Sequence, residues 1–345
     1  MRKEKHEKGN GKKYGYFYSI RFRLCISYII MIIFIILTGF LAEKMGEQAI
    51  EESYRDTVTQ SLRMVGKYIE FGFENVRGTV TEYLVDKEIS NYVSGKMSSD
   101  PSAETRYQTA LEKQLNTKIT ADEFISDIYF VTEGVYAVTT RERAIKTLFS
   151  SYMDTEQGEN IRENENQFFW MGRSSIVDEE LEVDSDKYAV RLIKYFNQKN
   201  AVIMVDIDCT KITEILNGID LGDGSHITYI TDDGVELAAD GTRTEFFSSM
   251  DCYLETHDSE EKSGIIENVQ MDGKSYLYLY EKLKDSEGTI CALVPNDVIY
   301  EKVYAIRNVT IAVVVIACIF ALFIGGGITF SFNRSINYFI FQAWG

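Results

Sequence analysis

The side chains that commonly carry out catalysis are sparse and scattered in this sequence. Its three histidines, His6, His226 and His257, do not share any catalytic or zinc-binding spacing. The patterns G-x-S-x-G, H-E-x-x-H, G-x-G-x-x-G and the phosphate-binding G-x-x-x-x-G-K-S/T are all absent. We therefore expect no catalytic residues and no enzymatic activity.

Potential metal ligands also lack the required spacing. The acidic run DEELEVDSD, residues 178–186, has neither the alternating ligands nor the central glycine of a calcium loop, which favours a solvated segment. Cys25 and Cys318 lie in apolar runs, and the other three, Cys209, Cys252 and Cys291, are too widely spaced for a zinc site. Three is an odd number, so these cysteines form no complete disulfide framework. We expect no metal and no cofactor.

The charges are divided unevenly along the chain, which holds 36 Lys and Arg against 53 Asp and Glu, a net charge of −17. Residues 1–23 contain eight basic and two acidic residues, so the remainder is strongly acidic. This balance argues against a nucleic-acid partner. A hydrophobic content of 45% with two prolines indicates folded domains rather than disorder.

Two uncharged apolar runs, residues 24–42 and 308–333, are each long enough to cross a bilayer as a helix. The first exceeds the apolar core of a signal peptide, which favours an uncleaved span. Residues 1–23 and Arg334 supply positive charge, which the positive-inside rule places in the cytoplasm. The sequence predicts a two-pass cell-membrane protein with both termini cytoplasmic and residues 43–307 outside.

A long amphipathic helix is predicted over residues 43–95, continuous with the first span. Its apolar residues recur at steps of three and four. They are Tyr54, Val58, Leu62, Val65, Ile69, Phe73, Val76, Val80 and Leu84. Such a stripe needs a partner, either the sheets that follow or the same helix of a second copy. We expect a homodimer through this helix.

The rest of the outer segment is predicted to form strands joined by tight turns. The strand pairs are 125–132 with 136–140, 187–196 with 201–208, and 226–231 with 235–239, followed by a meander of 263–270, 274–281 and 289–294. Since hairpins rather than crossover helices connect the strands, the sheets should be antiparallel and the fold class α+β.

The order of these parts resembles the double Cache sensor domain of bacterial chemoreceptors and sensor kinases. The resemblance rests on AVIMVDIDCTKITEIL, HITYITDDGVELA, SGIIENVQMDGKSYLYLYEKL and TICALVPNDVIYEKV. It implies a two-span membrane protein with a long N-terminal helix and two stacked PAS-like antiparallel sheet modules outside. The implied parts are a distal module of about 96–220, a proximal module of about 221–297 and an exit helix over 298–307.

The implied function is the sensory input module of a receptor most similar to a methyl-accepting chemotaxis protein. Residues 334–345 resemble the start of a HAMP linker, and we expect either a truncated or frameshifted receptor or a natural short form that pairs with full-length receptors. The sensor half of a histidine kinase or cyclic-dinucleotide enzyme is an alternative. A membrane-tethered binding or adhesion protein without signalling is another.

In this family a small ligand binds in the distal module. An amino-acid-binding version uses an Arg, a Trp-Tyr pair, a further Tyr and a final Asp. Asp206 matches the Asp and Trp170 the Trp, whereas Phe168 and Met171 replace the Arg and the adjacent Tyr. The resemblance thus implies a small-molecule ligand that is an amino acid, an organic acid or an amine. The candidate binding residues are Asp206, Trp170, Arg173, Arg191, Tyr188, Tyr129 and Tyr136.

Several candidates also have a purely structural interpretation. Trp170 can be a core aromatic residue, and Tyr129 and Tyr136 can pack on the sheet. Arg173 and Arg191 can form salt bridges with the acidic run 178–186. For Asp206 the alternative is a helix N-cap, although Asp208 is better placed for it. If Asp206 binds ligand, Asp206→Ala should abolish stabilisation by ligand and leave the fold intact.

Overall fold

The computed structural model describes residues 20–94, 101–133, 136–140, 147–196, 200–284 and 286–343. Residues 1–19 of the predicted basic tail, residue 95 of the predicted long helix and residues 344–345 lie outside the described residues. So do residues 96–100 and 141–146 of the predicted distal module and parts of three predicted turns, 134–135, 197–199 and 285. The chain forms two compact units. One comprises Met1–Tyr54 with Ile299–Gly345, and the other comprises Arg55–Val298.

The first unit holds two apolar helical segments, which belong to α1 (Ile20–Val85) and α9 (Asn296–Ala343). Each contains a stretch that is long and apolar enough to cross a membrane, within Ile26–Val85 and Ile306–Ile328 respectively. Large apolar side chains are exposed there, for example Phe34 at 64% and Phe323 at 75%. Such surfaces suit lipid, so two candidate membrane spans flank the folded second unit.

In the second unit, the remainder of α1 packs against both sheets through the predicted stripe. Its residues from Val58 to Val80 are at most 6% exposed. The ring of Phe73 stacks on Trp170 with centroids 4.5 Å apart and meets Tyr229 edge-on at 6.1 Å. The sheets are therefore the partner of this stripe. Because the stripe residues from Val58 to Val80 are buried within one chain, they are not available as a dimer surface, and a homodimer through this helix stays a prediction.

The predicted helix over 43–95 is interrupted after Val85. Asp86 has an extended conformation, and its Oδ1 accepts hydrogen bonds from the backbone N–H groups of Glu88 at 2.7 Å and Ile89 at 3.0 Å. It thus caps a new helix, α2 (Lys87–Val93), instead of continuing α1. A third helix, α3 (Pro101–Ala121), leads into the first sheet.

Sheet I, the first sheet, has five antiparallel strands in the order β2-β1-β5-β4-β3. They are β1 (Ile125–Thr132), β2 (Val138–Thr139), β3 (Phe169–Met171), β4 (Tyr188–Phe196) and β5 (Ala201–Asp208). One face contacts α1, and the other lies under three short helices that share its apolar core. These are α4 (Leu148–Met153), α5 (Glu156–Glu163) and α6 (Ser175–Leu181).

Sheet II follows after α7 (Cys209–Asn217), whose N-cap is Asp208 as predicted. Its six antiparallel strands have the order β8-β7-β6-β11-β10-β9. They are β6 (His226–Ile230), β7 (Glu236–Ala238), β8 (Arg243–Thr244), β9 (Ser263–Met271), β10 (Lys274–Lys282) and β11 (Thr289–Pro295). Between β8 and β9 lies α8 (Asp251–His257), which packs on this sheet.

The predicted α+β class, with two antiparallel sheets and long apolar helices at both ends, is confirmed. The sequence did not reveal β3 and β8, because strands of three and two residues are too short to show alternation.

Two glycines of α1 test the packing of this helix. A Cβ added at Gly72 would overlap the ring of Phe124, whereas a Cβ at Gly78 would meet nothing within 4 Å. We expect Gly72→Ala to lower the free energy of unfolding by about 1–3 kcal/mol. Gly78→Ala should raise it by about 0.5–1 kcal/mol, because Ala favours helix. Urea unfolding of the detergent-solubilised chain measures both, and equal effects would contradict the Phe124 contact.

Candidate ligand-binding site

A buried ion pair lies at the centre of sheet I. Arg191 on β4 and Asp206 on β5 are direct neighbours in the strand register, and both are fully buried. The guanidinium binds the carboxylate through two parallel hydrogen bonds, Nε to Oδ1 at 2.5 Å and Nη2 to Oδ2 at 2.9 Å. This bidentate geometry is the strongest arrangement available to an arginine and a carboxylate.

A second carboxylate reaches the same guanidinium from above the sheet. Asp178 on α6 places its Oδ1 3.0 Å from Arg191 Nη2. Its Oδ2 accepts a hydrogen bond from the hydroxyl of Tyr188 at 2.8 Å. One arginine therefore links the sheet to α6, and two acidic side chains share its charge.

Two tyrosines enclose the ion pair. The hydroxyl of Tyr129 on β1 donates to Asp206 Oδ2 at 2.9 Å. The Cζ atom of Arg191 lies 4.5 Å from the ring centroid of Tyr188 and 5.5 Å from that of Tyr129. Cation–π contacts of this kind stabilise a buried guanidinium.

A strand irregularity brings Tyr188 and Arg191 to one face. The register of β4 against β5 shifts by one residue between Tyr188, opposite Asp208, and Arg191, opposite Asp206. In a regular strand, residues three apart point to opposite faces, whereas a bulge restores them to the same face. Both side chains consequently lie in the layer between sheet I and α6.

The surroundings fix the charge states of this cluster. Burial disfavours the charged form of Arg191, but the adjacent Asp206 carboxylate outweighs it, and the pKa of the guanidinium lies well above its usual value. Burial raises the pKa of Tyr152 and of Tyr188 above the usual tyrosine value. The tyrosines are thus neutral hydrogen-bond donors at physiological pH.

Two donor atoms of this layer remain unused. Arg191 Nη1 and the hydroxyl of Tyr152, on α4, are buried and have no hydrogen-bond partner among the described residues. Buried polar groups normally have a hydrogen-bond partner, and each one left without a partner lowers the stability of the folded state by about 1–3 kcal/mol. Both atoms are donors, so they suit an acceptor oxygen.

The overall fold is shared with known sensor domains. No protein-family model matches the sequence, and no curated protein matches it. The extracellular domain of the putative histidine kinase soHK1S-Z6 is 11% identical with a TM-score of 0.50, covering 74% of this chain and 98% of that domain. A domain of a putative sensory box/GGDEF family protein from Vibrio parahaemolyticus is 14% identical with a TM-score of 0.50, covering 73% and 99%.

A third structure, the ligand-binding domain of Mlp24 with asparagine, is 16% identical with a TM-score of 0.45, which is too low to support any argument. The other two likenesses, together with the two sheets and the long helix, decide the fold. The chain has the double Cache fold. The resemblance expressed by the sequence phrases is thereby confirmed at the level of fold.

Four of the seven candidate residues of the double Cache domain come together: Asp206, Arg191, Tyr188 and Tyr129. The structural alternative for Arg191 also holds, because its second partner, Asp178, belongs to the acidic run. Asp206 is not a helix cap, since Asp208 has that role.

The other three candidates lie elsewhere. Trp170 stacks on Phe73 of α1, on the face of sheet I opposite to Arg191. Arg173 is exposed, and the ring of Tyr136 is 40% exposed. Trp170 matches the structural alternative of a core aromatic residue, as does Tyr129 in part, since it also packs in the core of sheet I.

Sequence reasoning missed Asp178 and Tyr152 as members of the cluster. Asp178 carried a signal only as one of several acids in the run 178–186. Tyr152 carried none, because α4 lies in a stretch that looked polar and loop-rich. Among the described residues, no group of three or more His, Cys, Asp and Glu is placed to hold a metal.

The ion pair makes Asp206 a structural residue as well as a candidate ligand contact. Asp206→Asn keeps the shape but leaves Arg191 with Asp178 alone, and we expect it to lower the free energy of unfolding by about 3 kcal/mol. The expectation that Asp206→Ala leaves the fold intact stays a prediction, and the ion pair adds to it a loss of stability. Asp186→Asn, an exposed control with the same charge change, should stay within about 0.5 kcal/mol. Equal losses of stability in urea unfolding would contradict the assignment.

Proposed function

We propose that this chain is the sensory input module of a transmembrane receptor. On this proposal a small extracellular ligand binds in the distal module, about residues 96–220, and the signal passes to the second candidate span. The observation that carries the proposal is the buried polar layer between sheet I and α6, with unused donors on Arg191 and Tyr152. The shared sensor-domain fold is consistent with this role.

The unused donors favour a ligand with a carboxylate or carbonyl oxygen, as in an amino acid or organic acid. Arg191 and Asp206 are fully buried, so ligand entry requires α6 to move. Asp178 is the group that holds α6 on the guanidinium. A ligand carboxylate that replaces Asp178 keeps Arg191 neutralised, and its binding then shifts the population of α6 positions.

The contacts between the two sheet modules supply a route for the signal. On the β6–β7 turn, both carboxylate oxygens of Asp233 accept a hydrogen bond from the backbone N–H of Gly172, each at 2.9 Å. On β8, the guanidinium of Arg243 donates to the carbonyls of Tyr188 and Ser185 at the start of β4. Tyr188 therefore joins Asp178 to sheet II, whose last strand, β11, leads directly into α9.

Topology and output are further parts of the proposal. By the positive-inside rule, both termini are cytoplasmic and residues 43–307 are extracytoplasmic. Sensor domains of a histidine kinase and of a GGDEF protein share this fold, so both output classes fit the structure. The chemoreceptor is the third class proposed, and it rests on the resemblance of the sequence phrases. In each class the activity resides outside this input module, and the chain itself is proposed to be non-enzymatic.

A homodimer through α1 requires a different face from the buried stripe. Met64, Tyr68 and Phe71 are spaced by four and three residues and are 69%, 47% and 58% exposed. They form an apolar strip on the exposed side of α1, the helix that also contains the first candidate span. Two copies inserted in the same direction present this strip to each other around a two-fold axis. We therefore propose a second copy of the chain as its partner.

The dimer proposal predicts that Phe71→Glu weakens self-association about tenfold or more, because a charge replaces a central apolar contact. Leu254→Glu is the control, since Leu254 is 54% exposed and lies on α8. Sedimentation velocity of the full chain in detergent over a range of concentrations measures the change. A monomeric parent chain, or equal weakening by both variants, would exclude this strip as the interface.

The ligand proposal predicts a hit when the full chain in detergent is screened by thermal shift against amino acids, organic acids and amines. Tyr152→Phe removes one unused hydroxyl, and we expect it to weaken binding of that hit about fivefold, as for one lost hydrogen bond. The unliganded variant should unfold at the same or a higher temperature, because no existing bond is broken. Tyr253→Phe, the same change on α8, should leave affinity unchanged.

Two results would count against the distal site. The absence of any hit with a well-folded parent chain would favour recognition through a protein partner or a non-signalling tether. A hit whose affinity is the same in both tyrosine variants would place the ligand elsewhere.

A further inference from the structure

A cavity of about 510 Å³ lies at sheet II and shares no lining residue with the Arg191 cluster. Its walls come from the end of α7, the connection 218–225, strands β6 and β7 and the segment after β8. A volume of this size falls within the range of about 300–1,000 Å³ that is typical of small-molecule sites.

The inner walls of this cavity are apolar, and hydroxyl groups among them already donate hydrogen bonds within the fold. Leu216, Leu221 and Phe247 line it and are at most 5% exposed. Polar side chains of these walls already donate within the fold: Ser225 Oγ donates to Leu221 O at 2.8 Å, Thr228 Oγ1 to Leu237 O at 2.9 Å, and Thr244 Oγ1 to the Glu236 carboxylate at 2.9 Å. The interior therefore suits an apolar group.

The open side of the cavity is negatively charged. Asp220 and Asp240 line it and are exposed, and no described lining residue is Lys or Arg. Each carboxylate accepts a backbone hydrogen bond within its own turn: Gly222 N donates to Asp220 at 3.0 Å, and Thr242 N donates to Asp240 at 2.9 Å. The hydrogen bonds from Thr242 lower the pKa of Asp240, so its charge persists in mildly acidic solution.

An aromatic pair lines the same cavity as these carboxylates. His226 and Phe246 both line the cavity, with ring centroids 5.6 Å apart. Aromatic rings and carboxylates in the lining of one cavity favour a cation with an apolar body, because cation–π and ionic attraction can then both act on it.

We propose that this cavity binds a small organic ammonium ion whose apolar body packs between Leu221 and Phe247 and whose charge lies near Asp220 and Asp240. The site is separate from the distal site of the proposed function and does not depend on it. An occupant would touch two segments at once. One is the connection at Gly222, which packs against Val298 at the start of α9, and the other is the β7–β8 turn next to Arg243.

The test uses the full chain in nanodiscs and three fluorinated probes of similar shape: 4-fluorophenethylamine, 2-(4-fluorophenyl)ethanol and 4-fluorophenylacetate. Binding is measured by fluorine NMR line broadening, with empty nanodiscs as the control for partition into lipid. We expect the ammonium probe to bind, the alcohol to bind more weakly and the carboxylate not to bind. No binding of the ammonium probe, or equal binding of all three, would overturn the proposal.

Matched variants locate the probe. The double substitution Asp220→Asn with Asp240→Asn keeps both turn acceptors and removes both charges, and it should weaken ammonium binding about tenfold. Asp223→Asn, an exposed residue of the same connection that does not line the cavity, should have no effect. Ala239→Leu, which reduces the cavity, should also weaken binding, and unfolding temperatures verify that each variant folds.

Binding that survives both the double substitution and Ala239→Leu would place the probe outside the cavity. Binding lost only with Ala239→Leu would exclude the ammonium assignment. Tyr152→Phe should leave the probe unaffected, which separates this site from the distal one.

Discussion

The burial of one face of α1 beneath both sheets is the constraint on which the rest of this structure depends. Seven stripe residues from Val58 to Val80 are at most 6% exposed, and each contributes on the order of 1.5–3 kcal/mol when fully buried. Their sum, about 10–20 kcal/mol, is as large as the net stability of an ordinary domain, about 5–15 kcal/mol. Phe73 alone contacts Trp170 of sheet I and Tyr229 of sheet II. Neither sheet can separate from α1 while the domain remains folded.

This constraint assigns different roles to the two faces of sheet I. The face that carries Trp170 is occupied by α1 and is closed to any ligand. The opposite face carries Arg191 and Asp206 under helices of six to eight residues, far shorter than the 66 residues of α1. Short helices of this kind open at lower free energy than a long packed one. The polar cluster therefore lies where the fold is easiest to open.

Local patterns predicted most of the fold, because alternation and helical spacing act over a few residues. The pairing of Arg191 with Asp206 also follows from the sequence once the hairpin closes with Phe196 opposite Ala201, since counting back five positions on each strand reaches this pair. The interruption at Asp86 was not predicted, because one side chain competes there against an otherwise favourable helical pattern.

Long-range contacts were beyond this reasoning. Asp178 is thirteen residues before Arg191 in the chain, and its choice among neighbouring acids depends on how α6 sits on the sheet. Trp170 lies on a strand of three residues, which is too short for alternation of apolar and polar residues to predict which face of the sheet its side chain occupies. The cavity at sheet II is formed by segments from α7 to Phe247, and no single motif marks it.

The position of Arg243 connects the two proposed sites in physical terms. Its guanidinium donates to the backbone carbonyls of Tyr188, the first residue of β4, and of Ser185 just before it. Because these acceptors are backbone atoms, the position of Arg243 depends on the position of β4 and not on its side chains. Tyr188 begins this strand and binds Asp178 of α6, whereas Thr242 and Thr244 on either side of Arg243 line the cavity at sheet II. A displacement of α6 reaches Arg243 of β8 through Tyr188, and an occupant of the cavity contacts the neighbours of Arg243, so both act on β8. Because α1 packs on both sheets, β8 is a place where small shifts can differ between the modules, and any coupling between the two proposed sites would act through it.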